Sequence, residues 1–175
     1  MKSLTITEID ALAAHLPAQG RAMVLLGFRH GMRPSEVVDL RWDDIDLVAR
    51  TIRVRRLKNS NTTVQPLAEV ELDALCALPV DEKGGMVFPS KRRGKRLSRT
   101  TFWRWFNEAA RLSGLSAGKR HPHCLKHSLG FALVAANVNM AVIKAALGHK
   151  SIGSTAIYAV PTEEQVGQLV AEALR

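Results

Sequence analysis

Proline and glycine cut this chain at helix-length intervals, and that punctuation constrains its fold more than any other feature. Thr5 and Glu8 form a capping box ahead of Ile9, Leu12 and Leu16 at helical spacing, and Pro17 ends the segment. A second, strongly apolar helix is predicted over residues 19–30, with Gly31 suited to its C-terminal cap. Pro34 fits the first turn of a short helix carrying Glu36, Val37 and Leu40. The period then changes. Ile52 and Val54 alternate with Arg53 and Arg55, which reads as a strand with one basic face. Asn59, Ser60 and Asn61 make a turn, Thr62 to Pro66 forms the returning strand, and residues 86–88 add a short third strand. Helices are expected over 69–78, over 98–112 with Trp103 and Trp105, over 125–137, over 140–147 closed by Gly148, and around 152–158. Pro161 precedes a last helix from Thr162, with Glu163 and Glu164 in its positive first turn. Its stripe of Val166, Leu169, Val170 and Leu174 fits either a neighbouring protomer or the chain's own core. The expected fold is mainly α with one small antiparallel sheet.

The 175 residues suit one domain, and a hydrophobic fraction of 46% excludes a mainly disordered chain. No apolar run is long enough to cross a bilayer, and the opening residues lack a signal core. A soluble, cytoplasmic protein is the expectation. Cys76 and Cys124 are too few for a disulfide framework and read as reduced thiols.

A formal charge of +9 favours a polyanionic partner. Lys91, Arg92, Arg93, Lys95, Arg96, Arg99 and Arg104 share one stretch, and no acid lies between Lys83 and Asn107. Arg92, Arg93, Lys95, Arg96 and Arg99 are the candidate contacts to DNA phosphates.

Two familiar chemistries fail on their residues. His123 and His127 are spaced like a zinc-binding helix pair, but Cys124 follows His123, no glutamate base is supplied and Lys126 adds a positive charge. Gly94-Lys95 lacks the upstream glycine and the following Ser or Thr of a phosphate-binding loop. Neither a zinc site of that kind nor a nucleotide-binding loop is therefore expected. Cutting a phosphodiester without water needs instead a nucleophile, a general acid and base, and cations around a pentacoordinate phosphate. Tyr158 is the only tyrosine.

Four blocks stand in order. Gly31-Met32-Arg33-Pro34-Ser35-Glu36 is followed by Leu40 to Asp46; then come His121-Pro122-His123-Cys124-Leu125-Lys126-His127, Leu147-Gly148-His149-Lys150-Ser151-Ile152 and Thr155-Ala156-Ile157-Tyr158. Together they resemble the catalytic domain of the tyrosine recombinase (phage integrase) family, over about residues 4–158. His30 to Arg33, Arg56-Leu57-Lys58, His121 to His123 and Ser128 to Leu133 look especially like the short recombinases that invert fimbrial promoter DNA.

The resemblance implies roles. Arg33 matches the arginine that clamps the scissile phosphate, and Glu36 the acid that braces the site. Lys58 matches the lysine that protonates the leaving 5′ oxygen, His123 the general acid/base, and His149 the histidine that hydrogen-bonds the phosphate. Tyr158 would form a 3′-phosphotyrosine link, which stores the bond energy, so neither a metal nor a cofactor is implied. Lys126 stands where the family usually has a second arginine, keeping the charge without the two-pronged fork. The implied function is site-specific recombination of duplex DNA by a tetramer assembled on DNA from free monomers, in a bacterial, nucleoid-associated setting. A DNA-binding regulator of the same fold, or a relaxing enzyme like the type IB topoisomerases, is the alternative. The sequence also reads as a single catalytic domain over 1–175, without the N-terminal clamp domain of larger members.

Overall fold

The computed structural model of the chain describes residues 3–57, 60–80, 85–90, 95–158 and 171. Helix α1 (Ile6–Ala14) opens on the expected capping box, with the Thr5 hydroxyl accepting from the Glu8 amide and the Glu8 carboxylate accepting from the Thr5 amide. Helix α2 (Ala18–Arg29) is buried on nearly every side, and Gly31 leaves it at φ +56°, a conformation that L side chains rarely adopt. Helix α3 (Pro34–Val38) starts on proline at its first position.

Strands β1 (Ile45–Asp46), β2 (Thr51–Val54) and β3 (Thr63–Pro66) form an antiparallel sheet in the order β1-β2-β3. Ile52 and Val54 are fully buried while Arg53 is exposed, so the predicted basic face is the solvent face. The third strand is not at the apolar residues 86–88, where it is expected. Residues 86–88 make only an isolated bridge, Met86 to Arg41, because Val87 and Phe88 both turn into the core rather than alternating. The sheet's edge is instead Ile45–Asp46, supplied by the short turn after Trp42.

Helices α4 (Glu69–Cys76), α5 (Arg99–Leu112) and α6 (Cys124–Ala135) complete the main core around α2, with Phe102 and Phe106 packed edge to face. Helix α6 ends two residues earlier than its periodicity suggests, since Asn137 takes a left-handed φ of 55°. Helices α7 (Met140–Ala146) and α8 (Gly153–Ala156) build a second, smaller apolar cluster of Ile143, Leu147 and Tyr158. Lys58, Arg92 and Arg93, and all of the final helix predicted from Thr162 except Ala171, lie outside the described residues.

Candidate active site

Each side chain of the site hangs from a helix end. Arg33 is the residue before α3, directly after the Gly31 turn. Its Nη1 donates to Glu36 Oε1 at 2.8 Å and approaches the Leu57 carbonyl and the Ser60 hydroxyl at 3.3 and 3.4 Å. Glu36 has no exposed side-chain surface. It accepts from the Arg33 amide at 2.8 Å and the Leu57 amide at 3.0 Å, and lies 3.4 Å from Arg56 Nη1. Burial pushes its carboxyl up, but these hydrogen bonds and the two guanidinium charges outweigh it and hold the group below the usual carboxylate value. Glu36 is thus an ionised brace for Arg33.

Lys126 sits on the first turns of α6 and is only 8% exposed. Its Nζ donates to the Gly31 carbonyl at 3.0 Å and the Leu147 carbonyl at 2.8 Å, tying the end of α2 to the end of α7. Desolvation, then the positive charges of Arg56 and Arg33, bring its pKa down to about 7, against the opposing pull of Glu36. This ammonium is a structural tie as well as a charge, which the sequence reading did not anticipate.

His149 follows the left-handed Gly148 turn and is buried, with Nδ1 2.9 Å from Thr155 Oγ1. Burial, then the charges of Lys126, Arg33, Arg56 and His127, lower its pKa to about 4. It is therefore neutral at physiological pH. With Thr155 as donor, its Nε2 keeps the proton and can donate to an anion.

Tyr158 ends the segment after α8 and is 4% exposed. Its ring stacks parallel to His149, with centroids 6.4 Å apart, and meets Phe131 edge to face at 5.2 Å. Gly130 makes room for it, since a Cβ there would stand 2.7 Å from the ring. The hydroxyl lies 3.2 Å from His127 Nδ1. Burial raises the phenol pKa, with Arg33 pulling the other way.

The structure thus brings Arg33, Glu36, Lys126, His149 and Tyr158 together. His123, the residue before α6, lines a cleft with Pro34, Arg99, Thr100, Trp103 and Pro122, so Arg99 borders the site. Lys95 and Arg96 line another cleft with Gln19 and Trp105, and Arg96 pairs with Asp39 at 2.9 Å. Cys124 is buried, and its thiol is pushed up to about 12 by desolvation, so it is inert. Among the described residues no three His, Cys, Asp or Glu side chains converge as metal ligands.

Arg56, His127 and Thr155 were given no role from sequence. Arg56 had a visible signal: it follows Arg55 directly and so breaks the alternation of β2. His127 stood beside Lys126 in a quoted block, but only the fold reveals that it meets Tyr158.

The chain matches the phage integrase family over residues 2–165. It is 38% identical over 167 residues to the type 1 fimbriae regulatory protein FimB of Escherichia coli (strain K12), covering 89% of this chain and 82% of that one. With FimE of the same strain it shares 36% over 151 residues, covering 81% of this chain and 74% of the relative. The crystal structure of XerA recombinase superposes with a TM-score of 0.76 at 25% identity, over 98% of this chain and 62% of that chain, so this chain spans about three-fifths of the XerA chain. The fold, the ordered blocks and these matches agree: the chain belongs to the phage integrase family of tyrosine recombinases.

Proposed function

We propose that this chain breaks and rejoins duplex DNA at specific sites, with Tyr158 as the nucleophile. The observation that carries this reading is the gathering of Arg33, Lys126 and neutral His149 around the one tyrosine of the chain. Tyr158 Oη attacks the scissile phosphorus, the P–O5′ bond breaks, and a 3′-phosphotyrosine and a free 5′-hydroxyl result. The phenol proton passes to His127 Nδ1, and the leaving oxygen takes a proton from Lys58, with His123 as the further acid/base. Arg33 and Lys126 stabilise the extra charge on the non-bridging oxygens, and His149 donates Nε2–H to one of them. Because the covalent link conserves the phosphodiester energy, rejoining is the same step reversed by a 5′-hydroxyl from another strand, and no cofactor is needed. The ring must leave its slot to attack, since only 4% of Tyr158 is exposed.

Lys95, Arg96 and Arg99, with Arg92 and Arg93, track the backbone phosphates. Four protomers, monomeric when free, assemble on paired sites in the bacterial cytoplasm, and the likeness to fimbriae regulatory proteins favours inversion of the segment between them.

A second reading, a DNA-binding regulator, is favoured by one observation: two of the three Lys126 donors are spent on carbonyls. A nicked suicide duplex separates the two. A covalent protein–DNA adduct, lost in Tyr158→Phe with DNA affinity retained, establishes cleavage; no adduct on a duplex that binds tightly and specifically establishes the regulator. Exchange between two sites then separates a recombinase from a relaxing enzyme.

A further inference from the structure

The Arg56 guanidinium is completely buried, and the scheme above gives it no part. Its Nη2 donates to the His30 carbonyl at 2.6 Å and the Ala146 carbonyl at 2.9 Å. Its Nη1 donates to the Gly31 carbonyl at 2.6 Å and lies 3.4 Å from Glu36 Oε2. These partners belong to the backbone segments that carry the site. His30 and Gly31 lead into Arg33, Ala146 leads through Gly148 into His149, and Glu36 holds the Arg33 guanidinium. The Gly148 turn lies flat on the arginine: a Cβ there would sit 3.0 Å from Arg56 Nε and 2.8 Å from the Asn61 carbonyl.

Last-turn carbonyls lack intrahelical partners and carry the negative end of the helix dipole, so a cation suits them. A buried charge is still costly, and well-packed apolar residues often replace buried ion pairs without loss of stability. Stability alone therefore gives a weak reason for an arginine here. Geometry gives a stronger one. A planar guanidinium fixes several acceptors at set angles, which an ammonium cannot do. Lys126 shares the Gly31 carbonyl with Arg56 and reaches Leu147 beyond it. With His30 and Ala146 satisfied by Arg56, Lys126 commits two of its three N–H donors and keeps one.

We propose that Arg56 is a positioning residue for strand cleavage: it pins the end of α2 to the end of α7, so fixing Arg33 relative to His149 and leaving one Lys126 donor for the scissile phosphate. This rests on the recombinase reading. It also explains how the site accommodates lysine at 126, since the rigid fork the lysine lacks is supplied one layer deeper. The charge of Arg56 adds to burial, Arg33 and the other neighbours in keeping Lys126 and His149 easily deprotonated, which gives a readout independent of DNA.

The test compares the full chain with Arg56→Met, Arg56→Lys and Leu12→Ala, the last a fully buried position in α1, which packs on α2 and α5. The probe is a pool of nicked duplexes of randomised sequence, enriched by covalent capture with the wild-type chain. Arg56→Met is expected to form adduct roughly 100-fold more slowly, the size of loss that follows about 1 Å of misplacement, with little change in DNA affinity. Arg56→Lys should recover part of the rate, and Leu12→Ala should lose thermal stability without that loss of rate. By NMR, the His149 imidazole should titrate at higher pH in Arg56→Met than in wild type and stay put in Leu12→Ala. A rate deficit matched by Leu12→Ala at equal destabilisation, or confined to affinity, overturns the proposal, and so does an unmoved His149 titration. If Arg56→Met does not fold, Arg56→Lys carries the rate measurement, and its loss of rate at retained charge supports the geometric role while a wild-type rate overturns it. If the wild-type chain captures no duplex, the recombinase reading fails, and the His149 titration still decides the place of Arg56.

Discussion

The Tyr158 hydroxyl lies 3.2 Å from Nδ1 of His127, one helical turn along α6 from His123. Burial, then the charges of His123, Lys126 and His121, lower the His127 pKa, so the ring is neutral and able to accept at physiological pH. His127→Asn keeps a polar group but cannot take up a proton. Adduct formation should slow by about 100-fold or more, as for loss of a general base, and the deficit relative to wild type should narrow as the pH rises towards the phenol pKa. A wild-type rate in His127→Asn at neutral pH would mean that the phenol proton leaves by another route.

Lys126 makes cleavage pH-dependent. In the proposed step its charged form stabilises the pentacoordinate phosphate, and that form is lost as pH rises through about 7 in the free protein. Measured at subsaturating DNA, where the free enzyme's groups are reported, wild-type cleavage should fall above that value. Lys126→Arg should stay flat over the same range and exceed wild type at its alkaline end, because arginine does not titrate there. Lys126→Ala should be slower by roughly 100- to 1,000-fold throughout. A Lys126→Arg variant slower than wild type at every pH would show a pocket built around lysine.

His149 sets an acid limit on stability. Its pKa falls to about 4 in the folded chain from an unfolded value of 6.5, so the unfolded state binds more protons between the two. Its contribution is present above about 6.5 and is lost progressively as the pH falls towards 4. The thermal midpoint should drop between pH 6.5 and 5, and His149→Asn should flatten that drop. An identical pH profile in the variant would refute the assignment.

Gly130 is the floor of the tyrosine slot. An added Cβ would stand 2.7 Å from the Tyr158 ring, closer than real side chains approach. Gly130→Ala should expel the ring, with helix α6 itself favoured by the alanine. A ¹³C-tyrosine label yields one ring signal, since the chain has one tyrosine, and that signal should shift from its ring-stacked position. An unchanged spectrum would place the ring elsewhere.

Basic residues differ in what they face. Arg99 borders the cleft of His123, whereas Arg96 pairs with Asp39. Arg99→Gln should reduce the salt dependence of DNA binding by about 0.9 in slope for a lost phosphate contact. Arg96→Gln should change it less, because Asp39 already neutralises that charge. Equal effects would mean that Arg96 leaves Asp39 and contacts phosphate as fully as Arg99 does.

Local signals determined much of this protein. The capping box at Thr5, the left-handed turns at Gly31 and Gly148, and the alternation of Ile52 and Val54 with exposed Arg53 follow from residues a few positions apart, which is the range over which sequence pattern acts. The blocks around Arg33, Lys126, His149 and Tyr158 also stood in the sequence, in order. Tertiary structure decided what these residues do to one another. No periodicity reveals that Lys126 ties two helix ends, that Arg56 turns inward to hold the same ends, or that Tyr158 rests against His127. The residues 86–88 show the limit from the other side: the short apolar run suited a strand, yet the core took Val87 and Phe88 together and left only a bridge. The physical reason is common to all of these. Burial and the pairing of orphan carbonyls depend on which chain segments meet, and that is fixed by packing the whole core rather than by any one segment.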